Sequence, residues 1–180
     1  MKTASLKANG RNRLRPLAVA TRGKKLARVT SILAPVDFSD ASIKALAYAA
    51  ALAKDYGARI TLLYVVEPLG VPDFVRSFPL AMENDEVIET CKSKLLKLAK
   101  NSGVSGKLLD NVVVRHGRPF REITDAARTL KVDLLVIATH GYSGVAHALL
   151  GSVTERVVRE APCPVLVVRE TEHEFIKTAK

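Results

Sequence analysis

Gly141 and Gly151, with nine residues between them, are the positions in this chain best suited to chemistry. The first ends an apolar run and the second opens an amphipathic stretch that begins at Ser152. A glycine lets backbone N–H groups approach a charged ligand with no Cβ in the way. A helix starting at Ser152 aims its first N–H groups and the positive end of its dipole at the same place. Together they make a cradle for an anion, and phosphate is the expected one. The competing structural reading is that Ser152 and Glu155 form an S-x-x-E capping box, worth about 1 kcal/mol with no ligand present. Asp37 closes the first apolar run and reads equally as a helix cap or a ligand contact. His140 and His147 suggest acid–base catalysis, but no partnered carboxylate is identifiable near either, and no nucleophile–base pair is visible. No residue is therefore assigned as catalytic, and any turnover of a bound nucleotide is expected to be slow.

The elements that must position these residues are legible as alternating patterns. Five apolar runs, Val29 to Val36, Ile60 to Val66, Val112 to Val114, Leu134 to Ala138 and Val165 to Val168, alternate with four helical stretches. The runs are mostly apolar on consecutive positions, which predicts parallel strands covered on both faces. Ser39 is the expected cap of the first helix, with Phe38 against Ile43 as a hydrophobic staple and Gly57 as its end. The second helix is expected from about Glu83 to Lys100, with Val87, Cys91, Leu95 and Leu98 on one stripe. The third starts at Pro119 and buries Ile123, Ala126, Ala127 and Leu130. The fourth runs from Gly151-Ser152 to Pro162. Right-handed crossovers make this an α/β fold with a doubly wound, five-stranded parallel sheet, Rossmann-like, in the order 3-2-1-4-5. The winding then reverses between the first and fourth strands, and a ligand belongs beyond their carboxyl ends, where Asp37 and Gly141 fall.

The net charge of +10 would suggest a nucleic-acid binder if it were spread over the fold. It is not: residues 1–28 hold nine of the 28 Lys and Arg and none of the 18 acidic residues, so the rest of the chain is close to neutral. Residues 1–27 are read as a disordered basic leader, 28–170 as one domain and 171–180 as a tail. Nucleic acid is an expected partner only through that leader. The longest all-apolar stretch, Ala45 to Ala53, is too short to span a bilayer. Cys91 and Cys163 show no metal-ligand spacing and read as structural thiols of a reducing, cytoplasmic compartment.

The usual phosphate-binding motifs, GxxxxGK[ST] and GxGxxG, are absent. The chain instead resembles the universal stress protein family over about residues 28–169. The resemblance rests on Ala138-Thr139-His140-Gly141, nine residues, then Gly151-Ser152, on Ala34-Pro35-Val36-Asp37-Phe38-Ser39, on Leu63-Tyr64-Val65-Val66, and on Pro162-Cys163-Pro164-Val165-Leu166-Val167-Val168. It implies an adenine nucleotide alpha hydrolase-like fold holding ATP, with Mg2+ or Mn2+ on the phosphates. By the same resemblance, Pro35, Asp37 and Val65 flank the adenine and ribose. Ile137, Ala138, His140 and Gly141, with Gly151, Ser152 and Val153, wrap the ribose and phosphates. The chain departs from the family pattern at Ala138, where the signature has its first glycine; a Cβ there is compatible with the site only at negative φ. The resemblance further implies a homodimer through Val165, Leu166, Val167 and Val168, an edge that would aggregate if left bare. The alternative is a nucleotide-free dimeric scaffold on the same fold.

Overall fold

The computed structural model describes residues 28–67, 85–139 and 150–169. Its elements are β1 (Ser31–Pro35), α1 (Asp40–Tyr56), β2 (Arg59–Val66), α2 (Asp85–Asn101), β3 (Leu109–His116), α3 (Pro119–Thr129), β4 (Leu134–Ala138), α4 (Ser152–Glu160) and β5 (Val165–Val168). A single 3-10 turn, Gly106–Leu108, precedes β3. All pairings are parallel and the sheet order is β3-β2-β1-β4-β5, the order expected from the sequence. The basic leader, the β2–α2 connection and the C-terminal tail lie outside the described residues.

The sheet separates two cores. Ile32, Ala34, Ile60, Leu62, Val136 and Ala138 face α1 and α2, where Ala45, Leu46, Ala49, Ala53, Leu95 and Ala99 meet them. Leu33, Leu63, Leu135 and Ile137 face α3 and α4, against Ile123, Ala126, Ala127 and Val157. The alanines of α1 let its backbone lie close to the strands, so a helix of weak amphipathicity still buries a continuous face. It is capped by Ser39, whose side chain accepts from Ser42 N–H, and ends at Gly57 in the left-handed conformation, φ 67°. Arg28 donates twice to the Tyr56 carbonyl at that end, 2.8 and 3.0 Å, where a cation meets the negative end of the dipole.

Three expectations need correction. Leu130 is 41% exposed and Val87 40% exposed. Leu130 is the C-cap of α3, beyond its last helical turn, and Thr124 takes a buried place on that helix instead. Val87 sits in the first turn of α2, which reaches past the edge of its core. β3 extends well beyond Val112–Val114 because its outer residues, among them Leu109, Asn111, Arg115 and His116, are held by backbone pairing with β2 and need not be apolar, while Asp110 falls at a register shift and pairs with Arg59 through its side chain at 2.7 Å.

At the amino edge, Asp133 ties the start of β4 to the start of β1. Its Oδ2 accepts from Thr30 N and Oγ1, both at 2.8 Å, and from Ser31 N and Oγ at 3.0 and 3.1 Å. These bonds, the Thr30 N–H first, hold its carboxyl below the usual range. A lowered folded-state pKa contributes stability above the unfolded pKa and loses it as pH falls through the folded value. Asp133→Asn should therefore lower stability at neutral pH, by less than about 1 kcal/mol because the carboxylate is exposed and screened by solvent. The gap to the parent should close on acidification, as read by thermal melting across pH.

Candidate functional site

The crevice opens where β1 and β4 stop pairing. Their ladder contains only Ile32↔Leu134 and Leu33↔Leu135, although both strands run on. On either side the sheet stays closed, β1 to β2 as far as Pro35↔Leu63 and β4 to β5 as far as Ala138↔Val168. The cause is in the backbone parity of β1. Arg59 N–H reaches Thr30 O and Val36 N–H reaches Leu63 O, so the even-numbered residues turn their polar groups to β2. Asp133 N–H reaches Ser31 O, so the odd-numbered ones face β4. Pro35 is odd-numbered and has no N–H to give β4, which ends the ladder at the level where the gap begins.

One lip of the gap is the β1–α1 turn. Asp37 Oδ1 accepts from Ser39 N at 3.0 Å and Ser39 Oγ at 2.6 Å, closing a turn over Phe38. Phe38 is held at φ 65°, a conformation that costs a non-glycine residue about 1 kcal/mol and persists where its surroundings enforce it. Its ring, expected against Ile43, lies 5.1 Å from that of Tyr64 on β2. Burial first, then the neighbouring Cys91 and Asp37, push the Tyr64 phenol above its ordinary pKa, so it stays a neutral hydrogen-bonding group. Asp37 does not cap α1 itself; Ser39 does, and Asp37 steadies Ser39.

The other lip is the start of α4. Gly151, not Ser152, is the N-cap, and Ser152 is the first helical residue. The capping-box reading fails on two counts: the cap position has no side chain, and the Glu155 carboxylate pairs with Arg159 at 2.7 Å. Two bonds pin this end of the helix to β4. Gly151 N–H donates to Thr139 O at 2.8 Å, and the buried Thr154 hydroxyl donates to Ala138 O at 2.7 Å. Thr139 N–H in turn donates to Val168 O at 3.0 Å. The first turn of α4 is thereby fixed beside the gap with no side chain at its cap.

The site residues read from the sequence fall on both sides of the sheet. Val65, Ile137 and Val153 pack with the α3–α4 core, and Pro35 lies buried at the end of β1. Ala138 faces the α1–α2 core and is 5% exposed. Its φ is not positive, since among the described non-glycine residues only Phe38 and Lys131 have positive φ. Asp37, Gly151 and Ser152 stand at the two lips, while His140, Gly141 and His147 lie outside the described residues. Sequence reasoning had Thr139 and Tyr64 only as members of motifs and missed Thr154, for which a threonine on the inward face of an amphipathic helix was the available signal. Both cysteines are free. Burial first, then Asp133, raises the pKa of the half-buried Cys163 thiol, which lowers its thiolate fraction. Among the described residues no helix is long and apolar enough to cross a membrane, and no group of three His, Cys, Asp or Glu is placed to hold a metal.

Comparison with known proteins agrees with this architecture. The model of the universal stress protein family matches residues 29–169. A universal stress protein of Methanocaldococcus jannaschii is 37% identical over 148 residues, covering 79% of this chain and 84% of that protein. The solved structure of the universal stress protein UspA from Lactobacillus plantarum superposes with a TM-score of 0.60 at 32% identity, covering 79% of this chain and 99% of that one. A second structure, a universal stress protein in complex with cAMP, shares the fold with a TM-score of 0.58 at 23% identity, over 81% of this chain and 100% of that one.

Proposed function

The chain belongs to the universal stress protein family, and from that premise we propose that it binds ATP in the crevice between β1 and β4 and acts as a stress-response regulator instead of a fast-turnover enzyme. One observation carries the reading: the N-terminus of α4, capped by a glycine, is pinned to the carboxyl end of β4, the strand that stops pairing with β1 at the level of Pro35. The N–H groups of its first turn meet the phosphates, and the dipole favours their charge. Pro35, Asp37 and Val65 hold the adenine and ribose, with Ile137 and Ala138 at the floor and Ser152 and Val153 on the phosphates. That a family structure on the same fold carries cAMP supports an adenine nucleotide as the ligand class.

Mg2+ or Mn2+ would enter on the nucleotide. Among the described residues Asp37 is the carboxylate at the lips and its Oδ1 already serves Ser39, so the phosphates and water would supply most of the ion's oxygen ligands. The ion would neutralise phosphate charge; the chain's own part is to orient and enclose. The nucleotide-free scaffold is suggested by Ala138, whose methyl is buried in the α1–α2 core. In either case the molecule is a homodimer through β5, whose outer edge has no partner among the described residues.

Equilibrium titration of the purified chain with ATP in the presence of Mg2+ tests the reading. The expected affinity is on the order of micromolar, about −8 kcal/mol. No binding up to millimolar ATP rejects it.

A further inference from the structure

We propose that Arg121 and Arg156, gathered over Phe120 where α3 meets α4, bind the outer phosphates of the nucleotide and make the site prefer a triphosphate to a monophosphate, an inference that rests on the nucleotide reading above. The Arg156 Cζ lies 4.8 Å from the centre of the Phe120 ring and the Arg121 Cζ 5.7 Å from it. One ring thus gathers two exposed guanidiniums from different helices. The face of the ring attracts both cations, but it cannot cancel their repulsion.

The carboxylates nearby in the chain are committed elsewhere. Glu122 pairs with Arg115 at 3.6 Å, Asp125 with Arg128, and Glu155 with Arg159 at 2.7 Å. Glu160 closes the opposite end of α4. Among the described residues, Arg121 and Arg156 have no carboxylate partner. The uncompensated charge of this helix pair is therefore concentrated at one spot.

That spot is at the carboxyl edge of the sheet. α3 and α4 each follow a parallel strand, so both begin at that edge. Arg121 is the third residue of α3, and Arg156 lies one turn into α4, about 6 Å along the axis from Ser152. Helical side chains lean toward the N-terminus, which carries the Arg156 guanidinium back toward the first turn of α4. A monophosphate fills the cradle at Gly151 and Ser152. The second and third phosphates extend beyond it, and planar guanidinium forks suit their oxygens.

The test compares ATP and AMP binding to the parent chain and to the Arg121→Gln/Arg156→Gln double variant, with melting curves to show that both are folded. The parent should bind ATP more tightly than AMP. The double variant should lose on the order of tenfold in ATP affinity and keep its AMP affinity within about twofold. Equal losses for both nucleotides, or none for either, overturn the inference and leave the nucleotide reading intact. A parent chain that binds neither nucleotide overturns both. If the double variant does not fold, Arg156→Lys reads the same quantity: it keeps the charge but loses the fork, so an ATP-only loss of about threefold is expected and no ATP-only loss overturns the inference.

Discussion

Gly151→Val should abolish the proposed nucleotide binding and leave the fold standing. The backbone at Gly151, φ −66° and ψ 152°, is open to any L-residue, valine included, so the turn does not itself require glycine. Valine is a poorer cap than glycine, a loss of about 1 kcal/mol or less that moves the melting temperature by a few degrees. What the side chain takes away is the approach to the first N–H groups of α4. Losing two charge-assisted bonds to phosphate costs about 3 kcal/mol, roughly a hundredfold in Kd. Titration with ATP reads the affinity and a melting curve reads the fold. Parent-like affinity in a folded Gly151→Val protein would remove the cradle from the argument. Gly151→Ala, with a single methyl, should fall between the two.

Val167→Pro should turn a dimer into a monomer. The β4–β5 ladder places Pro164 O and Val168 O on the β4 side, accepting from Leu135 N–H and Thr139 N–H at 3.0 Å each. By the two-residue repeat of a strand, Leu166 also turns its polar groups to β4, whereas those of Val165 and Val167 point to the open edge. Proline at 167 deletes an outward donor and spares the inner ladder, the one place in a sheet where proline is accepted. Some packing against the α3–α4 core is lost, at a cost of about 1 kcal/mol. Val167→Asp attacks the same edge by charge. Both variants should sediment as monomers at concentrations where the parent is a dimer, and an unchanged dimer would exclude edge pairing through β5. The crevice lies between β1 and β4, so a monomeric variant should still bind ATP within a few-fold of the parent.

The sequence by itself determined what local pattern can determine. Consecutive apolar positions specify strands buried on both faces, and Pro119 and Gly57 mark where helices start and stop, because propensity and capping act over a few residues. The handedness of crossovers narrows the strand order to a few doubly wound arrangements, of which 3-2-1-4-5 is the one adopted, and the location of the gap follows from strand order. Ser39 was legible as a cap, and of the two spaced glycines Gly151 stands at the start of α4. Other features were set only by tertiary structure. Asp133 meets Thr30 and Ser31 across more than a hundred residues of chain. Gly151 displaces Ser152 from the cap because its N–H is held by Thr139 and the next turn is held through Thr154. Phe38 enters a left-handed conformation because Asp37 and Ser39 lock around it while Tyr64 receives its ring. Pro35 opens the crevice only because parity within the assembled sheet turns its missing N–H toward β4 and not toward β2. A proline is visible in any sequence, but the neighbour it fails to bond is decided by strand pairing, which brings together segments a hundred residues apart.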